Sequence, residues 1–245
     1  MQKVALVTGA GRRIGADIAR RLARAGYAVA LFANGSLESA QALAAEIGGG
    51  ARAFRADLAD PEAAAAALRA AAQAMGPPEL LVNNAAAFED DAIDRLDLKL
   101  WRRQFAVDLE APVFLIGAFA AALPADAQGA VVNIIDQRVL KLTPEYLSYT
   151  LAKSALWTAT RTLAQALAPR IRVNAVGPGP TYPSLREGDA GLAHEASGTL
   201  LGRAISGEEI AEAVVFLARA KSVTGQIVCV DSGQHLGWRT PDIVG

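Results

Sequence analysis

The first 26 residues leave little freedom in how the chain can begin to fold. Lys3-Val-Ala-Leu-Val-Thr8 is a β-rich apolar run, and it passes directly into Gly9-Ala-Gly11-Arg-Arg-Ile-Gly15. The amphipathic segment from Ala16 to Ala25 then reads as a helix, stopped by Gly26. Strand, glycine turn and helix in this order suit an anion site. Glycines let the backbone come close to a pyrophosphate, and a helix N-terminus offers amide donors and a favourable dipole. Gly9, Gly11, Arg12, Arg13, Ile14 and Gly15 are therefore candidate dinucleotide contacts. The competing reading is a tight turn with two solvated arginines.

Strands and helices go on alternating. Tyr27 to Phe32 reads as a strand, followed by Ala33-Asn34-Gly35-Ser36 and a helix from Leu37 to Ile47. Ala51 to Ala56 is a strand ending at Asp57-Leu58, and Asp60-Pro61 opens a helix that Pro77-Pro78 stops. Glu79 to Val82 leads into Asn83-Asn84-Ala85-Ala86-Ala87-Phe88. Later strands are Ala130 to Ile135, Ile171 to Val176 and Gln226 to Val230, with helices from Tyr146 to Ala168 and from Gly207. The pattern predicts an α/β fold with a parallel, doubly wound sheet, whose ligands lie outside the carboxyl ends of the strands. The glycine turn, Asp57, Asn83 and Asp136 all fall at such ends. No acid follows the second strand until Glu38, whereas Arg12, Arg13 and Ser36 can meet a phosphate, which favours NADP over NAD.

On the predicted helix from Tyr146, Tyr149 and Lys153 are four residues apart, about 6 Å along the axis and on one face. A phenol beside an ammonium is a candidate general acid, its pKa drawn down from about 10. Tyr-x-x-x-Lys also occurs by chance, so its company decides. Asp136 ends the strand before it, either as a catalytic carboxyl or as an acceptor for loop amides. Burial raises the pKa of such a carboxyl, and nearby cations lower it.

A net charge of -1 supplies no general attraction for nucleic acid or anionic membrane. The apolar run Val113 to Leu123 is shorter than the roughly 20 residues of a bilayer span. Met1-Gln2-Lys3 leads directly into a strand, so the expectation is no secretory leader and a soluble, cytoplasmic protein of one domain, residues 1–245. The lone Cys229, in a predicted strand, reads as a buried structural thiol. His194 reads as a loop surface residue, and two histidines in all argue against a zinc site, so no metal is expected.

Thr8-Gly9-x-Gly11-x-x-x-Gly15, Asp57, Asn83-Asn84-Ala85, Tyr149-x-x-x-Lys153 and Pro178-Gly179 together resemble the short-chain dehydrogenase/reductase family over essentially the whole chain. The resemblance implies a single-domain Rossmann fold with a seven-stranded parallel sheet and helices on both faces. It places Asp57 and Asn83 by the adenine end and ribose, Lys153 on the nicotinamide ribose, and Tyr149 at the substrate proton. Asn34, Ser36, Leu58, Ala85, Pro178 and Gly179 complete the coenzyme contacts that it implies.

Two departures refine this picture. The serine that the family usually carries thirteen residues before its tyrosine is Asp136 here, and Asp108 stands where the family usually has asparagine. Asp136, the Arg12-Arg13-Ile-Gly15 turn, Phe88 and the closing Asp231-Ser-Gly-Gln-His-Leu236 resemble the pteridine reductase and dihydromonapterin reductase branch. In that branch a phenylalanine matching Phe88 stacks a pterin on the nicotinamide, although Phe88 also suits plain packing. Ala86 replaces a serine that the branch often carries.

The expected activity is NADPH-dependent reduction of a dihydropterin or dihydrofolate, with Tyr149, Lys153 and Asp136 catalytic and Phe88, Asp136 and Tyr149 meeting substrate. The alternatives are a carbonyl reductase or alcohol dehydrogenase of the same family, or a catalytically idle dinucleotide sensor. The resemblance further implies a homotetramer, a substrate loop over about 180–206, and a tail from Trp238 that is either disordered or reaches a neighbouring subunit.

Overall fold

The computed structural model describes residues 2–184 and 188–238. Seven strands form one sheet: β1 (Val4–Thr8), β2 (Ala28–Ala33), β3 (Arg52–Arg55), β4 (Leu80–Asn83), β5 (Gly129–Ile134), β6 (Ile171–Pro178) and β7 (Ile227–Val230). Their order is β3-β2-β1-β4-β5-β6-β7, and every neighbouring pair is parallel. The central strands are apolar and buried on both faces, as helix layers on each side demand. β3 lies at one edge, and its terminal Arg52 and Arg55 face solvent.

One face is covered by α1 (Arg13–Arg24), α2 (Leu37–Ile47) and α8 (Gly207–Arg219), the other by α3 (Pro61–Met75), α5 (Ala111–Ala122) and α6 (Leu147–Leu167). Asp60 caps α3, accepting from the amides of Glu62 and Ala63. The chain runs outward from β1 to β3, returns to β4 beside β1, and runs outward again to β7. That reversal between β1 and β4 opens a crevice at the carboxyl ends, where ligands of doubly wound sheets bind.

Two stretches depart from the sequence expectation. Leu98–Ala122 is one helical stretch of 25 residues that contains an 18-residue window of mean hydropathy 1.7, long and apolar enough by itself to cross a membrane and longer than the Val113–Leu123 run. Within it α4 (Leu98–Phe105) passes into α5 through a π turn, Ala106–Glu110. Pro112 accounts for the turn, since it has no N–H for the carbonyl of Asp108 and its ring crowds that turn. Leu115, Ile116 and Phe119 bury one side of α5 in the same core as Leu68 of α3. The second stretch is 180–206, expected as a loop, which contains α7 (Gly188–Ser197). The tail beyond Trp238 lies outside the described residues.

Candidate active site

β5 and α6 bring the chemistry together. Asp136 follows β5 by two residues, and Tyr149 and Lys153 project from the first two turns of α6. The Tyr149 hydroxyl donates to Asp136 Oδ2 at 3.1 Å. Asp136 Oδ1 accepts the Arg138 amide at 2.8 Å, so this carboxylate caps the short turn Gln137–Val139 and faces the phenol at once. Lys153 Nζ donates to the carbonyl of Ile134 at 3.1 Å and pairs with Asp108 Oδ1 at 3.2 Å.

The start of α6 is held from a distance. Asp91, buried, accepts from the Ser148 amide at 3.1 Å and from its hydroxyl at 2.6 Å, and the Asp91 carbonyl accepts from the Leu147 amide. An acid at a helix N-terminus satisfies orphan amides and suits the dipole.

The electrostatics correct one expectation. Lys153 does not draw the phenol's pKa down. Burial pushes Tyr149 well above its ordinary value, and the carboxyls of Asp136 and Asp108 push it further, against Arg138. Lys153 pairs with Asp108 and donates to the Ile134 carbonyl. For Asp136 burial wins as well: its pKa is raised, with the Arg138 guanidinium opposing. Tyr149 is thus a fully protonated phenol at neutral pH, poised to donate.

A cleft of ≈ 490 Å3 runs over this floor. Asp136, Tyr149, Lys153, Phe88, Pro178 and Gly179 line it, together with Arg12, Arg13, Ile14 and Gly15 of the glycine turn and α1. Leu192 and Glu195 of α7 close one side. Phe88 is 44 % exposed. Its ring stacks on Tyr146 at 4.4 Å and 3°, and meets Tyr149 at 76°. The Arg138 guanidinium lies 5.6 Å from the Phe88 ring centre and 5.1 Å from that of Tyr146. Phe88 therefore both packs and presents an aromatic wall to the cleft.

At the coenzyme end the glycines serve backbone approach of a kind the sequence did not specify. A Cβ on Gly15 would lie 2.2 Å from the Gly9 carbonyl oxygen, and one on Gly11 would lie 2.6 Å from Ser36 Oγ. Gly9 has φ +63°, and a Cβ there would meet the backbone of Ala85. Thr8 Oγ1 accepts the amides of Asn84 and Ala85, and Asn84 Nδ2 donates to the carbonyls of Thr8 and Gly9. The turn is thus clamped against the loops after β2 and β4.

Not all the candidate coenzyme residues line the cleft: Gly9, Gly11, Asn34, Ser36, Asp57, Leu58, Asn83 and Ala85 do not. Asn83 is buried and gives its Nδ2 to Asn133, which in turn donates to Thr160. Asp57 Oδ1 accepts the Ala59 amide, Leu58 is buried, and Asn34 is exposed. Arg13 donates to the Tyr182 carbonyl and lies over the Tyr182 ring, while the Tyr182 hydroxyl bonds to Asp17.

Cys229 is half-buried rather than buried, since β7 is an edge strand, and burial followed by Asp231 pushes its thiol up to about 12. It lies with Asp231 and His235 in a potential ligand cluster. Asp231 already accepts the amides of Gly233 and His235, and His235 Nδ1 is 2.6 Å from it. His194 is exposed, as expected, but on α7 rather than in a loop.

A family model described as enoyl-(acyl carrier protein) reductase matches residues 9–235. The FolM alternative dihydrofolate reductase 1 of Brucella suis, solved in complex with NADP, is 48% identical with a TM-score of 0.95, covering 99% of this chain and 98% of that one. This chain belongs to the short-chain dehydrogenase/reductase family. The Brucella canis FolM protein, also solved with NADP, is 47% identical at a TM-score of 0.93 over the same shares. The cis-4-hydroxycyclohexanecarboxylate dehydrogenase of Sinomonas cyclohexanicum is 37% identical over 244 residues, 95% of this chain and 96% of that protein.

Within this short-chain dehydrogenase/reductase, Asp91, Asn84, Arg138 and Tyr146 are site residues that sequence reasoning missed. Arg138 had a signal, two residues beyond Asp136. Asp91 had none, because its partner Ser148 is 57 residues away.

Proposed function

We propose that this chain is an NADPH-dependent reductase of a dihydropterin or dihydrofolate-type substrate. The hydrogen bond from Tyr149 to Asp136 Oδ2 beside the Phe88 wall carries this reading. Reducing a C=N bond requires a proton at nitrogen as hydride reaches carbon. A phenol kept protonated by its surroundings supplies it, and the adjoining carboxyl is placed to pass on a replacement. A serine at 136 would polarise a carbonyl but could not hold that second proton.

The residues fit the coenzyme. Arg12, at the N-cap of α1, makes no side-chain cap and no acid occupies the first turn, so the early amides of α1 and Arg12 are placed for phosphate, with Arg13 engaged by Tyr182 beside them. NADPH, when bound, supplies the hydride. Arg12, Arg13, Ile14 and Gly15 would hold its phosphates, and Lys153, Pro178 and Gly179 its nicotinamide half. The two Brucella FolM relatives solved with NADP support the same assignment. We further propose a homotetramer of a soluble, cytoplasmic protein.

The test follows NADPH absorbance with dihydrobiopterin, dihydromonapterin, dihydrofolate and simple ketones, with NADH in parallel. Turnover of the pterin or folate substrates with a preference for NADPH is expected. Reduction of ketones alone defeats the substrate assignment, and coenzyme binding without any turnover favours a sensor.

A further inference from the structure

Asp108 stands where the family resemblance leads one to look for asparagine, and its surroundings are unlike those of an amide. It is 0 % exposed, set in the π turn that Pro112 forces. One carboxylate oxygen accepts the Ala87 amide at 3.1 Å, and the other lies 3.2 Å from Lys153 Nζ. Lys153 is itself buried and also donates to the Ile134 carbonyl. Opposite charges this close weaken each other's field at a neighbour. The groups facing Tyr149 are then Asp136 after β5, Asp108 in the π turn, Arg138 in the turn after β5, and Lys153 against its ring at 5.6 Å. Asp108 is faced by Lys153 of α6, the Ala87 amide and, at longer range, Arg103 of α4.

We infer that Asp108 is a positioning residue that pairs with Lys153 and so sets how strongly the lysine acts on the Tyr149 phenol, the group that donates the proton. Through the Ala87 amide it also ties Lys153 to the residue preceding Phe88, hanging the lysine and the aromatic wall on one buried group. The titration properties agree. Burial pushes the Asp108 carboxyl up to about 6 against the pull of Lys153. Asp108 in turn adds to the rise of Tyr149.

The inference rests on Tyr149 as the proton donor of the proposed reductase, but its test does not need the substrate. The full-length protein, labelled with carbon-13 at the tyrosine ring carbon bearing oxygen, is titrated by NMR. Tyr149 is picked out from the other three tyrosines by its loss in Tyr149→Phe. In the wild type Tyr149 stays protonated past the reference value of about 10. In Asp108→Asn, which keeps an acceptor for Ala87 but leaves Lys153 uncompensated, Tyr149 ionises at least about one pH unit lower. Asp108→Glu, which keeps the charge, returns it towards the wild type.

An unshifted titration in folded Asp108→Asn overturns the inference. So does wild-type Tyr149 ionising below about 10, whether or not any variant folds. Failure to turn over every pterin and folate would defeat the proposed function and leave this titration as it stands.

Discussion

At the scale of single residues, Asp136 does two jobs that the sequence presented as alternatives. One oxygen holds the loop after β5 through the Arg138 amide, and the other holds the Tyr149 hydroxyl. Serine at this position keeps a partner for the phenol and loses the ionisable carboxyl. Asp136→Ser should therefore lower turnover of a dihydropterin or dihydrofolate by a factor of about 10²–10⁴, the usual worth of general acid–base support. NADPH affinity, measured by fluorescence titration, should hardly change. A variant with full turnover would show that the carboxyl takes no part. The pKa of Tyr149 carries a related lesson. Four-residue spacing put a lysine beside the phenol, but spacing cannot show that Asp108 pairs with the lysine.

At the scale of elements, the site depends on where α6 begins. Tyr146 takes a left-handed backbone with φ 54°, and Asp91 accepts from Ser148 one turn before the Tyr149–Lys153 pair is complete. Removing this acid costs a helix cap, about 1 kcal/mol, and leaves the buried Ser148 hydroxyl short of its acceptor, about 1–3 kcal/mol. Asp91→Ala should thus be destabilised by about 2–4 kcal/mol in urea unfolding. A loss under about 0.5 kcal/mol, the range of ordinary surface changes, would show that the cap is dispensable. The glycine turn is an element of the same kind. Its three glycines admit the neighbouring loops, so the strand-turn-helix pattern also sets the approach of the loops after β2 and β4.

At the scale of the whole molecule, one face of the layered fold carries large apolar groups that the described residues leave exposed. Phe114 on α5 is 59 % exposed and Leu151 on α6 is 43 % exposed, both on the helix layer shared with α3. Apolar side chains left in water on adjoining helices favour association with another subunit. Light scattering at micromolar concentration should report a tetramer, and Phe114→Glu should shift it towards smaller species. A wild-type monomer under those conditions would defeat the proposed assembly.

The fold was legible in the sequence because its determinants are local. Apolar runs of strand length, helical periodicity and turn residues mark nearly every element within a residue or two, and their alternation dictates a parallel sheet. The glycine turn, Asp136, Tyr149 and Lys153 were legible too, since each sits at a strand end or on one helix face. Distance along the chain hid the rest. Whether Lys153 acidifies Tyr149 depends on Asp108, 45 residues earlier, and on burial that no spacing reports. Whether Asn83 or Asn84 meets the cleft depends on Asn133 taking one and Thr8 the other. Strand order and helix faces follow from patterns of a few residues. The direction of a charge, and the partner that pairs with it, are properties of packed space and were decided by the tertiary structure alone.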